Sequence, residues 1–228
     1  MKTIVITGDS WSAGVWGENS VGKYDILAPG LSSLFMNQGY KVINLSQPGS
    51  DPWGILWPLN CFIWTNPHID IKKIYYFQTD IGRSFSNREV PLQKYGGNLT
   101  KTLESMYRDL YHALDQLAKQ RNIKISVVGG LTDVTVSLNE FDSLELDIPS
   151  WCRLLDTSLP LTNLVDKEGF EVLDRQFPDL KDQINKYLDR ANARRDFLLS
   201  NKQFFYPDGL HPNVNGHRLL FENLIKNI

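Results

Sequence analysis

The sequence predicts an α/β domain in which a parallel sheet is covered by helices on both faces. Short apolar runs alternate with helical stretches along the chain, and each run has the character of a buried strand. Such alternation is typical of βαβ crossovers, which set consecutive strands in parallel and place the intervening helices against the sheet. A chain of 228 residues, 42% of them hydrophobic, is long enough for one such domain with a substantial core.

Four apolar runs are predicted to be strands, and they cover 3–7, 41–45, 73–77 and 124–128. Runs of this length are typical of strands and short for a buried helix. A further apolar run over Trp151–Leu155 is predicted to be the fifth strand. We therefore expect a sheet of about five strands.

Helices are predicted over 29–38, 53–65 and 99–121, between the strands. The last of these carries apolar residues at steps of three and four, namely Leu103, Met106, Leu110, Leu114 and Leu117, which form one helical face. A closing helix is predicted from Pro212 onward, where it would dock on the sheet.

We expect a single domain over 1–228, because the length and composition of the chain fit one α/β unit. Residues 131–200 are more than one crossover needs. A polar amphipathic helix is predicted over 179–199, and the region 135–200 could form either a helical surface extension or a lid over a site. We favour the surface extension.

The first predicted strand leads into Gly-Asp-Ser, which can place the hydroxyl of Ser10 at the carboxyl end of the sheet. Near the other end of the chain, Asp208 and His211 lie three residues apart, a spacing that puts both on one face of a helical turn. A nucleophilic serine needs an imidazole to take its proton, and the imidazole needs a carboxylate to fix its tautomer. These residues therefore meet the requirements of serine-based acyl transfer.

Gly-Asp-Ser after the first strand, combined with Asp-x-x-His just before the final helix, resembles the SGNH (GDSL-type) hydrolase superfamily. The resemblance implies a flavodoxin-like three-layer α/β/α sandwich, an esterase or acylhydrolase activity without a cofactor, and an oxyanion hole with three donors. Two of these donors carry over to this chain. They are the backbone amides of Ser10 and Gly49, the latter standing in Asn-Leu-Ser-Gln-Pro-Gly after the second strand.

The third oxyanion donor departs from the family pattern. Where the family has Gly-x-Asn, this chain has Gln78-Thr79-Asp80 after its third predicted strand. An amide donates a hydrogen bond to a developing oxyanion whereas an ionised carboxylate only accepts, and losing one donor typically costs about 100- to 1000-fold in rate. Either Asp80 is protonated, or a neighbour such as Gln78 or Thr79 substitutes for it, or the site serves another purpose.

Four side chains near these motifs are candidates for substrate binding. Trp11 and Trp16 follow the nucleophile closely, and Gln78 ends the third predicted strand. Arg83 lies three residues beyond Asp80, where it could bind a substrate anion or neutralise that carboxylate. Aromatic rings at the mouth of the site suit an acylated sugar as well as a simple ester.

Three further tryptophans lie together on the second predicted helix. Trp53, Trp57 and Trp64 are four and seven residues apart and so share one helical face. Tryptophans in this pattern usually pack into the core, and we expect that position for all three.

Composition disfavours several classes of function. The 24 Lys and Arg residues balance 26 Asp and Glu residues, and a net charge of −2 predicts no general attraction to nucleic acid or to an anionic membrane. The chain has no apolar run of transmembrane length and no pattern of a secretion signal at its N-terminus, so we expect a cytoplasmic protein. We predict no metal and no cofactor, and the oligomeric state stays open.

Three functions remain open from the residues alone. The leading one is a serine esterase or acylhydrolase that cleaves a small acyl ester of a simple alcohol or a carbohydrate. The second, motivated by Asp80, is a catalytically weak or inactive relative that binds a glycan or a protein partner. The third is a metal-dependent phosphoesterase with Asp9, Asp80 and Asp208 as oxygen ligands. We rank it last, because the aspartate of such a turn more often braces the turn itself.

Overall fold

A five-stranded parallel sheet forms the centre of the molecule. The computed structural model describes residues 2–86, 97–130, 133–159, 175, 177–206 and 211–228. The strands are β1 (Thr3–Thr7), β2 (Val15–Glu18), β3 (Tyr24–Ala28), β4 (Lys41–Asn44), β5 (Ile71–Gln78), β6 (Ile125–Gly129) and β7 (Leu144–Ile148). The sheet order is β4-β1-β5-β6-β7, and β2 pairs with β3 in a separate antiparallel hairpin.

Helices connect and cover these strands. They are α1 (Ser10–Ala13), α2 (Leu31–Asn37), α3 (Pro52–Thr65), α4 (Leu99–Gln120), α5 (Trp151–Leu155), α6 (Lys181–Ser200) and α7 (Val214–Leu224). Side-chain caps explain where several begin, because the oxygens of Asp51, Asn98 and Asn213 accept the first free backbone amides of α3, α4 and α7. None of the helices in the described part of the chain has the length and apolar character needed to span a membrane. The cytoplasmic location stays a prediction.

Both faces of the sheet are buried, which makes the architecture a three-layer α/β/α sandwich. Along β1, Ile4 and Ile6 join one core, while Val5 between them joins the other. The core on the side of Val5 contains the apolar faces of α3 and α4. The core on the side of Ile4 and Ile6 contains those of α2 and α7.

The strand order is the flavodoxin-like order, in which the first strand of the sheet lies between the second and the third. The chain leaves β1 towards β4 on one side and later returns to place β5 on the other side. Ligands of such sheets bind at the carboxyl ends of the strands beside this reversal. The predicted fold class is confirmed, and the residues that follow β1 and β5 lie at the position expected for a site.

The predicted strands over 3–7, 41–45, 73–77 and 124–128 are confirmed to within two residues or so at each end. The fifth prediction is wrong, because Trp151–Leu155 is helix α5, capped by the Ser150 hydroxyl oxygen, which accepts the amide of Arg153. The fifth strand is instead β7, whose Leu-Glu-Leu-Asp-Ile sequence buries Leu144 and Ile148 at its ends.

Helix α6 is attached to the loop that follows β6 by a buried ion pair. The guanidinium of Arg194 lies 2.6 Å from the carboxylate of Asp133, and the hydroxyl of Ser150 donates to the same carboxylate at 2.6 Å. Residues 160–174 and 176 lie outside the described residues. One domain over 1–228, with an extension or lid within 135–200, therefore stays a prediction.

Candidate active site

Ser10 begins helix α1 directly after β1, at the carboxyl edge of the sheet. Gly8 permits this sharp turn, because a Cβ at that position would collide with the side chain of Phe77 on β5. The Oδ1 atom of Asp9 accepts the backbone amide of Trp11 at 3.0 Å and so caps the helix. The hydroxyl of Ser10 is thereby given a fixed place beside the sheet.

His211 is brought to Ser10 from the opposite end of the chain. Its Nε2 atom lies 3.0 Å from the Oγ atom of Ser10, although the two residues are 201 positions apart. The segment is held by a hydrogen bond from the Tyr206 amide to the His211 carbonyl at 3.0 Å. With the proton on Nδ1, Nε2 is free to accept the serine proton. Asp208, the predicted partner of Nδ1, lies within 207–210, outside the described residues.

Trp16 contacts both members of this pair. Its indole Nε1 donates to the Ser10 carbonyl at 2.7 Å, and its ring lies 5.2 Å from the His211 ring, measured between centroids. The residue belongs to β2 of the hairpin, which the sequence did not predict. Trp16 therefore positions the pair, a role that sequence reasoning missed, while its contact with substrate stays a prediction.

The carboxylate of Asp9 ties the nucleophile turn to the end of β5. Its Oδ2 atom accepts the hydroxyl of Thr79 at 2.8 Å and lies 3.3 Å from Nη1 of Arg83. Asp9 thus braces the turn, and a cationic neighbour makes it a poor ligand for a metal ion. Of the three ligands predicted for the metal-dependent alternative, Asp9 is thus engaged by protein groups, and Asp208 lies outside the described residues.

Gly49 occupies a tight turn next to the nucleophile. The amide of Ser50 donates to the Gln47 carbonyl at 3.1 Å, and Gly49 has a φ of +77° at the third position of this turn. The Pro-Gly sequence with a positive φ is typical of a type II turn, which requires glycine there. The Gln47 amide donates to the Gly8 carbonyl at 2.9 Å, so the loop lies against the turn that carries the nucleophile. The Gly49 amide as an oxyanion donor stays a prediction.

Arg83 bridges the two segments that carry the predicted oxyanion amides. Its Nη1 atom lies 3.3 Å from the Asp9 carboxylate and 3.5 Å from the carbonyl of Ser50. The side chain is partly exposed. Arg83 therefore neutralises the charge of Asp9. Its contact with a substrate anion stays a prediction.

Asp80 starts the turn that follows β5. Its Oδ1 atom accepts the Gly82 amide at 2.8 Å, and the 3₁₀ turn Ile81–Ser86 begins at the next residue. The side chain is half-buried. This bond explains why an acceptor is useful at position 80, and the part that Asp80 plays in an oxyanion hole stays a prediction.

Two of the predicted substrate-binding residues are packed inside the protein. Gln78 is 2% exposed; its amide donates to the Asp133 carbonyl at 3.1 Å, and its carbonyl accepts the Tyr111 hydroxyl. Trp11 is 6% exposed and packs edge-on against Trp151 at 5.6 Å between ring centroids. These positions correct the expectation that the two side chains face a substrate, because their polar and aromatic surfaces are occupied by protein neighbours.

His217 is a second histidine at the back of the site. It is 1% exposed, and its Nε2–H donates to the carbonyl of Gly14, directly after α1, at 2.9 Å. Burial lowers the pKa of this imidazole to about 4, so the ring is neutral at pH 7. The sequence offered one indication that His217 is buried: it lies one helical turn before Leu220, on the apolar face of the closing helix.

Comparison with known proteins gives similar structures at low sequence identity. No protein-family model matches the chain, and no curated protein matches it. One similar solved structure is the lipase/acylhydrolase from Enterococcus faecalis, with 15% identity, a TM-score of 0.48, and coverage of 100% of this chain and 95% of that one.

Two others are comparable. The psychrotrophic esterase EstA from Pseudoalteromonas sp. has 14% identity and a TM-score of 0.43, over 99% of this chain and 96% of that one. A proposed GDSL-like lipase from Parabacteroides merdae has 12% identity and a TM-score of 0.41, over 99% and 94%. At these identities the function rests on the geometry of the site.

Proposed function

We propose that the protein is a serine esterase or acylhydrolase that acts through Ser10, His211 and Asp208. The observation that supports this most strongly is the 3.0 Å separation between Ser10 Oγ and His211 Nε2. A proton can pass directly between atoms at that distance. The pair lies at the carboxyl edge of the sheet, where ligands of this fold class bind.

In the proposed reaction, Ser10 Oγ attacks the ester carbonyl carbon while its proton passes to His211 Nε2. The bond to the alcohol oxygen then breaks, and the alcohol leaves with that proton. Water next gives a proton to His211 and its oxygen attacks the acyl carbon; the bond to Ser10 Oγ then breaks, the free carboxylic acid leaves, and His211 returns the proton to Ser10 Oγ. Asp208 would hold Nδ1–H of the imidazole, and the amides of Ser10 and Gly49 would stabilise both oxyanions.

Trp16 would assist the proton transfer in two ways. Its hydrogen bond to the Ser10 carbonyl fixes the backbone of the nucleophile, and its ring lies against the imidazole of His211. An aromatic face attracts a cation, so this contact would favour the imidazolium that forms during the reaction.

The proposed substrate is a small acyl ester of a simple alcohol or of a carbohydrate. Support comes from the side chains around the nucleophile, which include the partly exposed cation Arg83 and the half-buried carboxylate Asp80. Such a mixture of donors and acceptors suits an alcohol moiety with hydroxyl groups. The proposed steps use side chains and backbone amides of the protein together with water, and they need no cofactor.

One observation favours a second candidate function, a weak or inactive relative that binds a glycan or a protein partner. The second residue after β5 is Asp80, where the SGNH pattern has an asparagine donor. An ionised carboxylate facing the oxyanion would oppose the reaction. The two candidates differ in whether Ser10 turns over an ester at all.

The test is the hydrolysis of 4-nitrophenyl acetate by the wild-type protein and by Ser10→Ala. We expect the variant to lose at least about 1000-fold in kcat, because no other group can form the acyl intermediate. Ser20→Ala, which removes an exposed serine of the hairpin loop, should retain full activity. Near wild-type turnover by Ser10→Ala would disprove the nucleophile, and phosphate-ester hydrolysis that EDTA abolishes and Mg²⁺ restores would favour the metal alternative.

A further inference from the structure

Helix α3 presents two tryptophans to solvent. Trp57 is 68% exposed and Trp64 is 64% exposed, so the expectation that they pack into the core is wrong. The core positions of the helix are taken by Ile55, Leu59 and Ile63. The sequence could not distinguish the faces, because the 14 residues of α3 include no charged side chain. Large exposed apolar surfaces of this kind usually mark binding sites.

A groove of about 310 Å³ lies between α3 and α4, and the ring of Trp57 lines it. Trp53 and Trp57 form its aromatic side, and the amide side chains of Asn60, Gln116 and Gln120 also line it. Of the described residues that line the groove, none carries a charge. Within the described part of the chain these three amides make no hydrogen bond to other protein groups. They are therefore available to a ligand.

The chemistry of the groove matches a neutral carbohydrate. The C–H faces of a sugar ring carry partial positive charge and pack against the negative face of an indole. Amide side chains both donate and accept, as sugar hydroxyls require. A charged ligand would find no counter-charge here, and a purely apolar partner would bury the amides without hydrogen bonds, which is unfavourable.

We propose that this groove, together with Trp57 and Trp64, binds a neutral glycan chain. The two residues are seven positions apart, which places them on one side of α3 and about 10 Å apart along its axis. A ligand that touches both rings must be longer than one sugar. The helix begins at Pro52, three residues after Gly49, so the tryptophans follow the loop whose Gln47 amide contacts the nucleophile turn at the Gly8 carbonyl. The proposal does not depend on hydrolysis.

The test is native electrophoresis in gels that contain hydroxyethylcellulose, arabinoxylan, dextran or pullulan, all neutral polysaccharides. We expect at least one of them to retard the wild-type protein and Ser10→Ala equally. The double variant Trp57→Ala/Trp64→Ala should bind that polysaccharide at least about tenfold more weakly. The control Leu146→Ala removes another exposed apolar side chain, on β7, and should be retarded like the wild type. No retardation by any of the four, or equal retardation of the double variant, would overturn the proposal.

Gln116→Leu separates a glycan site from an apolar interface. The change keeps the volume of an exposed helix residue and removes its hydrogen-bonding groups. A glycan site should lose affinity, whereas an interface between two copies of the chain should associate equally or more tightly. Sedimentation velocity provides the second readout. A wild-type dimer that Gln116→Leu strengthens and Trp57→Ala dissociates would overturn the glycan proposal.

Discussion

The ends of β1 and β5 are neighbours at one edge of the sheet, yet their polar side chains are used differently. After β1, the chain turns sharply and presents the hydroxyl of Ser10 to His211. After β5, the side chains of Gln78, Thr79 and Asp80 all bond to protein groups. The residues at the end of β1 include the reactive hydroxyl, and those at the end of β5 make hydrogen bonds that support the surrounding structure.

This difference gives a physical reason for the departure from the SGNH pattern. The Thr79 hydroxyl and the Arg83 guanidinium both contact the carboxylate of Asp9, which precedes the nucleophile. Asp80 begins the turn that carries Arg83 to this position. The segment after β5 thus supports the β1 turn, where the family pattern would place an oxyanion donor.

The largest effect is expected when the reactive pair at the β1 end is broken. Ser10→Ala and His211→Ala should each lower kcat for 4-nitrophenyl acetate by about 10⁴- to 10⁶-fold, because nucleophile and base act as one unit. The double variant should be no slower than either single variant. Initial rates above the buffer background test this, and a double variant far slower than both would show that the residues act independently.

The next effect concerns the His217 bond that holds the end of α1. The folded pKa of about 4 is below the ordinary value of 6.5, so the unfolded chain binds more protons between these values. Neutral His217 makes its full contribution to the free energy of unfolding above about pH 6.5. This contribution is lost as the pH falls towards 4, and the total loss is about 3 kcal/mol. Urea unfolding should show that the free energy of unfolding falls less between pH 7 and pH 5 in His217→Gln than in the wild type. Equal losses would contradict the assignment.

Asp80→Asn tests whether the β5 end also faces the reaction. Asn Oδ1 can still accept the Gly82 amide, so the turn should be kept. If position 80 faces the oxyanion, kcat/KM for aryl esters should rise by about 10- to 100-fold, because a donor replaces a negative charge. Asp70→Asn, an exposed carboxylate, is the control for net charge. Superimposable pH–rate profiles of Asp80→Asn and wild type would mean that Asp80 does not face the oxyanion and only supports the turn after β5.

The smallest effect is expected from Trp16→Phe, which keeps a ring beside His211 but removes the bond to the Ser10 carbonyl. One hydrogen bond of this kind is worth about tenfold at most, and the loss should appear in kcat with KM little changed. Leu146→Ala, at an exposed position on β7, should leave both constants unchanged. A rise in KM alone would instead place Trp16 against the substrate.

Contiguous patterns made most of the fold predictable. The buried strands of the sheet and the nucleophile turn are local in sequence, so their residue types were sufficient. The segment Trp151–Leu155 was assigned wrongly, since five apolar residues fit a strand or a short helix equally well until the Ser150 cap is seen. The β2–β3 hairpin was missed because its strands contain Gly17, Glu18 and Asp25 and so form no continuous apolar run.

The site was predictable only where its chemistry is carried by a motif. Ser10 and His211 belong to such motifs, and the structure brings them together. The tryptophans belong to no motif, and their positions in the sequence gave a wrong prediction. Trp11, beside the nucleophile, is buried, while Trp57, on a helix without charged residues, is exposed. Which face of a residue meets the core depends on tertiary neighbours such as Trp151.

The central claim is that Ser10 is an activated nucleophile, and covalent labelling tests it most directly. The protein is incubated with a fluorophosphonate, and its intact mass and peptide map are measured. A single adduct on the peptide that contains Ser10 is expected, absent in Ser10→Ala and formed far more slowly in His211→Ala. Folded wild-type protein that takes up no probe, or takes it up on another residue with Ser10 unmodified, would contradict the proposed function.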